Sequence, residues 1–186
     1  MAPLRALLCS RNESKLAEFR AALPGWELER LDTEDYPPED GASYYENARG
    51  KADLGHELEP QAWVLADDSG IEVAALGGAP GVATARWADD GVSRLLEELA
   101  GEEDRRARYV CELVALAPDG RELRGTGVLD GTITNERRGS GGFGYDPVFL
   151  PDGETRTVAE LGDAWKAHNS HRARAAAKLS AAVDAV

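Results

Sequence analysis

Asp67-Asp68-Ser69-Gly70 directly follows the apolar run Trp63-Val64-Leu65-Ala66. Two adjacent carboxylates at the end of a buried strand cannot both be buried unpaired without a large desolvation cost. A divalent cation is the usual remedy, and Mg²⁺ favours carboxylates combined with substrate phosphates. The alternative is a β-turn in which Asp67 bonds its own backbone and Asp68 is solvated. Glu39, in an acidic loop, and Glu46 could supply further carboxylates, although Glu46 also reads as the capping-box partner of Ser43. Lys51 follows on the same predicted helix, as a ligand group or as a solvated surface lysine. A second cluster is Ser10-Arg11-Asn12-Glu13-Ser14-Lys15, where a strand end feeds a helix N-terminus. Free N–H groups and the positive dipole end suit phosphate, and Lys15 adds a charge one turn in. An ordinary helix cap with a solvated lysine accounts for the same residues.

Gly139-Ser140-Gly141-Gly142-Phe143-Gly144 matches G-x-G-x-x-G. The dinucleotide fingerprint needs a helix to begin within it, and Tyr145-Asp146-Pro147 followed by β-prone Val-Phe-Leu forbids one. The glycines predict either a tight loop where backbone approaches a ligand, with Phe143 or Tyr145 free to stack on a base, or a flexible hairpin loop. Ser170 predicts the N-cap of a last helix, which puts His171 and Arg172 in its first turn. Cations there oppose the helix dipole, so some other partner must reward them. His168 and His171 are three apart, but no cysteine or third histidine stands near them for zinc. No G-x-S-x-G elbow appears, and Cys9 and Cys111 sit in apolar stretches, so nucleophilic catalysis has little support.

The elements that must position these groups read as follows. Leu4 to Cys9 predicts a strand and Leu16, Phe19, Ala22 and Leu23 a helix, ended by Pro24-Gly25. A strand at Trp26 to Leu31 and a loop at 32–41 lead to a helix from Ser43 to about His56. Strands follow at Trp63 to Ala66 and Ile71 to Leu76, then a turn at 77–81 and a helix from Gly91 to Leu99. Ala107 to Ala117 and Glu122 to Leu129 predict a hairpin across Pro118-Asp119-Gly120. Helices near Val158 to Trp165 and from Ser170 to Val186 close the chain. The prediction is α/β, one domain over 1–186, with a mixed sheet and flanking helices. The 186 residues carry 21 Lys plus Arg and 34 Asp plus Glu, a net charge of −13. That balance argues against broad binding to nucleic acid or anionic membrane, while one locally basic pocket remains compatible with it. The N-terminus shows no secretory h-region and no run long enough for a membrane helix, and two buried thiols predict a cytoplasmic protein.

Together, four segments resemble the inosine triphosphate pyrophosphatase family. They are SRNESK at 10–15, ENARGKA at 46–52 with ADDSGIEVAALGGAPGVATARW at 66–87, GGFGYDPVF at 141–149, and AELGDAWKAHNSHRARA at 159–175. The resemblance implies a long mixed sheet in two lobes around a central cleft, a homodimer, and Mg²⁺-dependent hydrolysis of ITP, dITP or XTP to the monophosphate and pyrophosphate. Carried over by position, Ser10, Arg11, Asn12, Glu13, Ser14 and Lys15 would hold the phosphates with Lys51. Asp68 would be the general base or a metal-bound carboxylate, with Ser69 at the substrate, Asp67 supporting and Glu39 a second Mg²⁺ ligand. Phe143, Gly144, Tyr145 and Asp146 would wall the base and sugar pocket, and Lys166, His171 and Arg172 would read the purine edge. Arg11 and Trp165 depart from the family pattern, which has glycine at the first position and commonly an acidic residue at the second.

Overall fold

The computed structural model describes residues 3–185. Its elements are β1 (Leu4–Leu8), α1 (Glu13–Ala22), β2 (Trp26–Arg30), α2 (Tyr44–Leu58), β3 (Trp63–Val73), α3 (Gly91–Glu98), β4 (Arg106–Leu116), β5 (Glu122–Ile133), β6 (Phe149–Pro151), α4 (Val158–Asn169) and α5 (His171–Asp184), with short 3₁₀ turns at Ala74–Leu76 and Gly81–Arg86. The six strands form one sheet in the order β2-β1-β3-β4-β5-β6. β1 runs parallel to β2 and β3, and the remaining pairs are antiparallel.

Strand alternation assigns each face of β3 its own helices. Leu65 packs with Leu16 and Phe19 of α1 and with Ala175, Ala176 and Leu179 of α5. Val64 and Ala66 pack on the other face, against Ala48 and Ala52 of α2. Full burial of a side chain such as Phe19 stabilises the docked helix by about 1.5–3 kcal/mol. At eleven or twelve residues, β3, β4 and β5 reach far beyond β1. Their distal ends carry a second core, in which Ile71, Val73, Tyr109 and Leu129 meet Val92 and Leu95 of α3 and Phe149 of β6. The two lobes therefore share strands, and the cleft lies between their cores.

The cleft exists because β1 stops early. β1 pairs with β3 only as far as Leu65, and the chain then turns away into α1. From Ala66 onward one edge of β3 has no strand beside it, and its backbone groups are met by side chains and loops instead. The Asp67 carbonyl accepts from Lys51, the Ile71 N–H donates to Thr84 Oγ1, and the Val73 N–H donates to the Ala79 carbonyl.

Several expectations need correction. No turn forms at Asp67–Gly70, because β3 continues through it and pairs residue for residue with β4. The expected strand at Ile71–Leu76 gives way to a 3₁₀ turn after Val73. The capping box at Ser43 is only half made: Ser43 accepts from Glu46 N–H, but the Glu46 carboxylate accepts from Ala42 N–H. The full box occurs at Thr157 and Glu160, at the start of α4. β5 runs on to Ile133, and α4 extends to Asn169 with a break at Gly162, whose φ of 78° favours glycine. Val186, the last residue of the predicted final helix, lies outside the described residues. Among those described, no helix is long and apolar enough to cross a membrane.

Candidate functional site

A compartment of about 400 Å³ opens along the free edge of β3. Asn12, Lys15, Glu39, Asp68 and Ser69 line one part of it, and Phe143, Gly144, Tyr145, Asp146, His171 and Arg172 another. Asn12, Lys15 and Glu39 also line a neighbouring space with Ser10, Arg11 and Lys51. Phe143 divides the main compartment from a third space that Ser14, Glu18 and Lys166 line.

Because side chains alternate along β3, Asp67 points toward α1 and α5 while Asp68 points toward α2. Asp67 is fully buried, with its Oδ2 2.9 Å from Lys15 Nζ and 3.7 Å from Arg172 Nε. Burial alone would raise its carboxyl, but the charges of Lys15, Arg172 and Lys51 outweigh that and hold it below the ordinary carboxylate range. Asp67 is thus the counter-ion of the basic groups. Asp68 accepts from Asn47 Nδ2 at 2.8 Å and from the Ser69 N–H at 2.8 Å. Burial raises its carboxyl, although Asn47 and Lys51 act in the opposite direction.

Lys51 is enclosed between the Glu39 carboxylate and the Asp67 carbonyl. Burial acts to lower it, but Asp67 and Glu39 raise it above its ordinary value, so it stays charged. At the start of α1, Asn12 Oδ1 accepts from the Ser14 and Lys15 N–H groups at 2.9 and 3.2 Å. Those amides are therefore taken by the cap rather than free for an anion, and the positive charge this corner presents is the Lys15 ammonium. Arg11 turns to Glu34 and sits 5.4 Å from the Tyr36 ring. Glu13 turns out to Arg30 at 3.3 Å, and Glu46 is exposed and lines none of these spaces.

The other end of the cleft is a buried charge network. Asp146 Oδ2 accepts from Lys166 Nζ at 2.7 Å and from the Phe143 N–H at 3.0 Å, and its Oδ1 accepts from Tyr109 at 3.2 Å. Glu18 pairs with Lys166 and, at 3.0 Å, with Arg172. Arg172 also donates to Ser69 Oγ at 2.8 Å. The Phe143 ring centroid lies 4.7 Å from the Lys166 ammonium and 5.2 Å from the Arg172 guanidinium. Burial, with Arg172 and Lys166 nearby, pushes His171 well below its ordinary value, so it is neutral at pH 7. Glu18 and Asp67 are the partners that reward the Arg172 charge at the start of α5, while His171 stands there uncharged. Glu18, Asn47 and Tyr109 are residues that sequence reasoning missed. Asn47 lies inside the ENARGKA segment and Glu18 stands three residues after Lys15, so both had a positional signal, while Tyr109 had none.

Among the described residues, no group of three His, Cys, Asp or Glu side chains could hold a metal ion unaided. Asp68 and Glu39 line one compartment, and each Asp68 oxygen has one hydrogen bond and a lone pair to spare. Such a donor set fits Mg²⁺ that completes its shell with water and substrate phosphates.

A mixed sheet whose broken edge opens on a lysine-lined cleft, with aromatic and basic groups at its far end, is the architecture that the chain shares with its structural relatives. The chain belongs to the Ham1 family, whose model matches residues 6–182. A relative from Deinococcus deserti named dITP/XTP pyrophosphatase is 42% identical, with 96% of this chain and 88% of that one covered. One from Gloeobacter violaceus, of the same name, is 44% identical over 93% of this chain and 91% of that one. The Staphylococcus aureus Ham1 protein matches in structure with a TM-score of 0.85 and 32% identity, covering 97% of this chain and 98% of that one.

Proposed function

We propose that this protein is a nucleoside triphosphate pyrophosphatase that hydrolyses deaminated purine nucleotides (ITP, dITP and XTP) to the monophosphate and pyrophosphate, clearing them from the nucleotide pool. The observation that carries this reading is one cleft joining the Asp68, Glu39 and Lys15 pole to the Phe143, His171 and Arg172 pole, with Lys166 in the adjoining space behind Phe143. The relatives named for dITP and XTP support it.

Phosphoanhydride hydrolysis depends on charge neutralisation and an oriented water more than on covalent chemistry. Lys15 and Lys51 supply fixed positive charge beside the phosphates. Asp68 and Glu39 would hold Mg²⁺, which neutralises phosphate charge when bound. Asp68 would orient a water toward the α-phosphorus and accept its proton, so that pyrophosphate leaves intact.

Hypoxanthine and xanthine present O6 as an acceptor where adenine presents an amino donor. Lys166 has three protons, and Asp146 and Glu18 take two of them. The third favours an O6 acceptor and meets a second donor when the base is adenine, a mismatch that costs about 1–3 kcal/mol. A cytoplasmic setting suits two free, buried cysteines, and a homodimer is the assembly implied by the family resemblance.

The test is a panel of nucleoside triphosphates with and without Mg²⁺, with pyrophosphate and phosphate measured separately. Pyrophosphate release from ITP or XTP, with kcat/KM at least about tenfold above ATP, is expected. Release of single phosphates, or a preference for modified pyrimidines, would sink the proposal.

A further inference from the structure

Nothing in the motifs of the chain marks Tyr109, which reads as one more apolar residue of β4. Yet this side chain touches the two elements that close the base end of the cleft. Its hydroxyl lies 3.2 Å from Asp146 Oδ1, on the glycine-rich loop between β5 and β6. Its ring lies parallel to the His171 imidazole, with centroids 4.6 Å apart and planes 10° apart. The opposite support is Phe149, whose ring centroid is 4.4 Å away. Tyr109 is only 7% exposed, and what little it shows faces the main compartment. Strand β4 is central in the sheet, so Tyr109 is the rigid point to which the loop and the α5 N-terminus are both referred.

Hydrogen-bond capacity sharpens the point. An ionised carboxylate only accepts, so the Tyr109 O–H must be the donor, and its place at Oδ1 leaves Oδ2 for Lys166 and the Phe143 N–H. The direction in which Lys166 aims its remaining proton therefore depends on how Asp146 is turned, and that orientation depends on Tyr109.

We propose that Tyr109 is a positioning residue for base selection: it holds Asp146 by its hydroxyl and His171 by its ring, and thereby fixes the donors that meet the purine. The proposal rests on the reading of the cleft as a nucleotide site. The hydroxyl and ring contacts of Tyr109 go to Asp146, Phe149 and His171 and to neither Asp68 nor Lys51, so it should govern which base is taken and leave the grip on the phosphates alone.

The test uses the full chain with Tyr109→Phe, which keeps the stack and loses the hydrogen bond, and Tyr109→Leu, which loses both. In Tyr109→Phe the ratio of kcat/KM for ITP over ATP should fall about tenfold, mostly through KM, as expected for one lost hydrogen bond to a charged group. Inhibition by inorganic pyrophosphate, which has no base, should change by less than about twofold. The His171 imidazole protons should be ring-current shifted in wild type and Tyr109→Phe, and return toward ordinary positions in Tyr109→Leu. An unchanged ratio, or a parallel loss for every nucleotide together with weaker pyrophosphate inhibition, overturns the proposal. If wild type prefers a base other than the deaminated purines, the functional reading fails by itself, and Tyr109 is then judged on whether that preference narrows. Wild type with no base preference overturns both. Should Tyr109→Phe not fold, Asp146→Asn probes the same contact from its other end, and an unaltered preference there overturns the proposal equally.

Discussion

Asp67 and Asp68 are neighbours in the chain and point to opposite faces of the sheet, one to the basic groups of α1 and α5 and the other to Asn47 of α2. β3 runs through both, so its two-residue period separates them, and they cannot share one job. Asp67→Asn leaves Lys15 without its buried counter-charge and Arg172 with Glu18 alone. It should destabilise the protein by about 3–5 kcal/mol, measured by denaturant unfolding. Asp68→Asn keeps its shape and its place beside Asn47, so its unfolding midpoint should stay close to wild type. Its turnover should fall by at least about 10²-fold, because an amide neither accepts a proton nor binds Mg²⁺ well. Near-normal kcat in folded Asp68→Asn would remove Asp68 from the mechanism.

Helix α5 carries His171 and Arg172 to the cleft because β5 offers it glycines to lie on. A Cβ at Gly127 would overlap the backbone carbonyl of His171, and one at Gly125 would overlap that of Ala175. Backbone cannot swing aside as a side chain can, so Gly127→Ala must lift the first turn of α5. The expected result is a lowered melting temperature and a raised KM for ITP. Gly25→Ala is the control, since its Cβ meets nothing within 4 Å and its φ is not left-handed. Equal behaviour of the two variants would show that α5 does not depend on this close approach.

What could be read from the sequence, and what could not, divides along the range of the interaction. Ser10 to Lys15 and Ser170 to Arg172 were legible because each lies where a strand turns into a helix or where a cap precedes one, and those signals sit within a few residues, whereas Lys51, in the middle of α2, was marked only by the family resemblance of its segment. The mixed sheet was legible from apolar runs and from the Pro118-Asp119-Gly120 turn, and its length only from the family resemblance. The path of β3 through Asp67–Gly70 was not, because acidic residues beside glycine are ordinary turn chemistry, and pairing along all of β4 overrode it. Partners far apart in the chain were also hidden. Tyr109 meets Asp146 across 37 residues and Arg172 meets Glu18 across 154, and no local period encodes either contact.

His171 gives the fold a defined response to acid. Burial, with Arg172 and Lys166 beside it, keeps its folded value well below the ordinary 6.5. Below about pH 6.5 the unfolded chain takes up a proton there that the folded protein does not, so stability falls as pH falls, by at most about 1.4 kcal/mol per pH unit for this one group. Asp67 adds nothing in that window, because its depressed carboxyl stays ionised in both states until pH drops toward the ordinary 3.8. Melting temperature measured from pH 7.5 to pH 5 should therefore decline in wild type and decline less steeply in His171→Gln. The slope is the test, since losing the stack on Tyr109 lowers the whole curve of the variant. Identical slopes would mean that His171 is protonated in the folded protein.

Arg172 reaches both poles of the cleft, with one terminal nitrogen 2.8 Å from Ser69 Oγ and the other 3.0 Å from Glu18 Oε2. Its flat fork holds these groups in a fixed relation, while its charge offsets Glu18 and Asp67. Two substitutions separate the fork from the charge. Arg172→Lys keeps a cation in the same pocket and should keep most of the stability, but a single ammonium cannot serve Ser69 and Glu18 at those two places together. The ratio of kcat/KM for ITP over ATP should fall about tenfold in it, the cost of one misdirected polar contact. Arg172→Ala should lose that discrimination and also melt well below Arg172→Lys, because Glu18 and Asp67 are left with an unmatched charge. Nucleotide kinetics and melting curves on the two variants are the measurement. Full selectivity in a folded Arg172→Lys protein would mean that the charge alone matters, and base reading would then fall to Lys166 and the Tyr109-anchored Asp146.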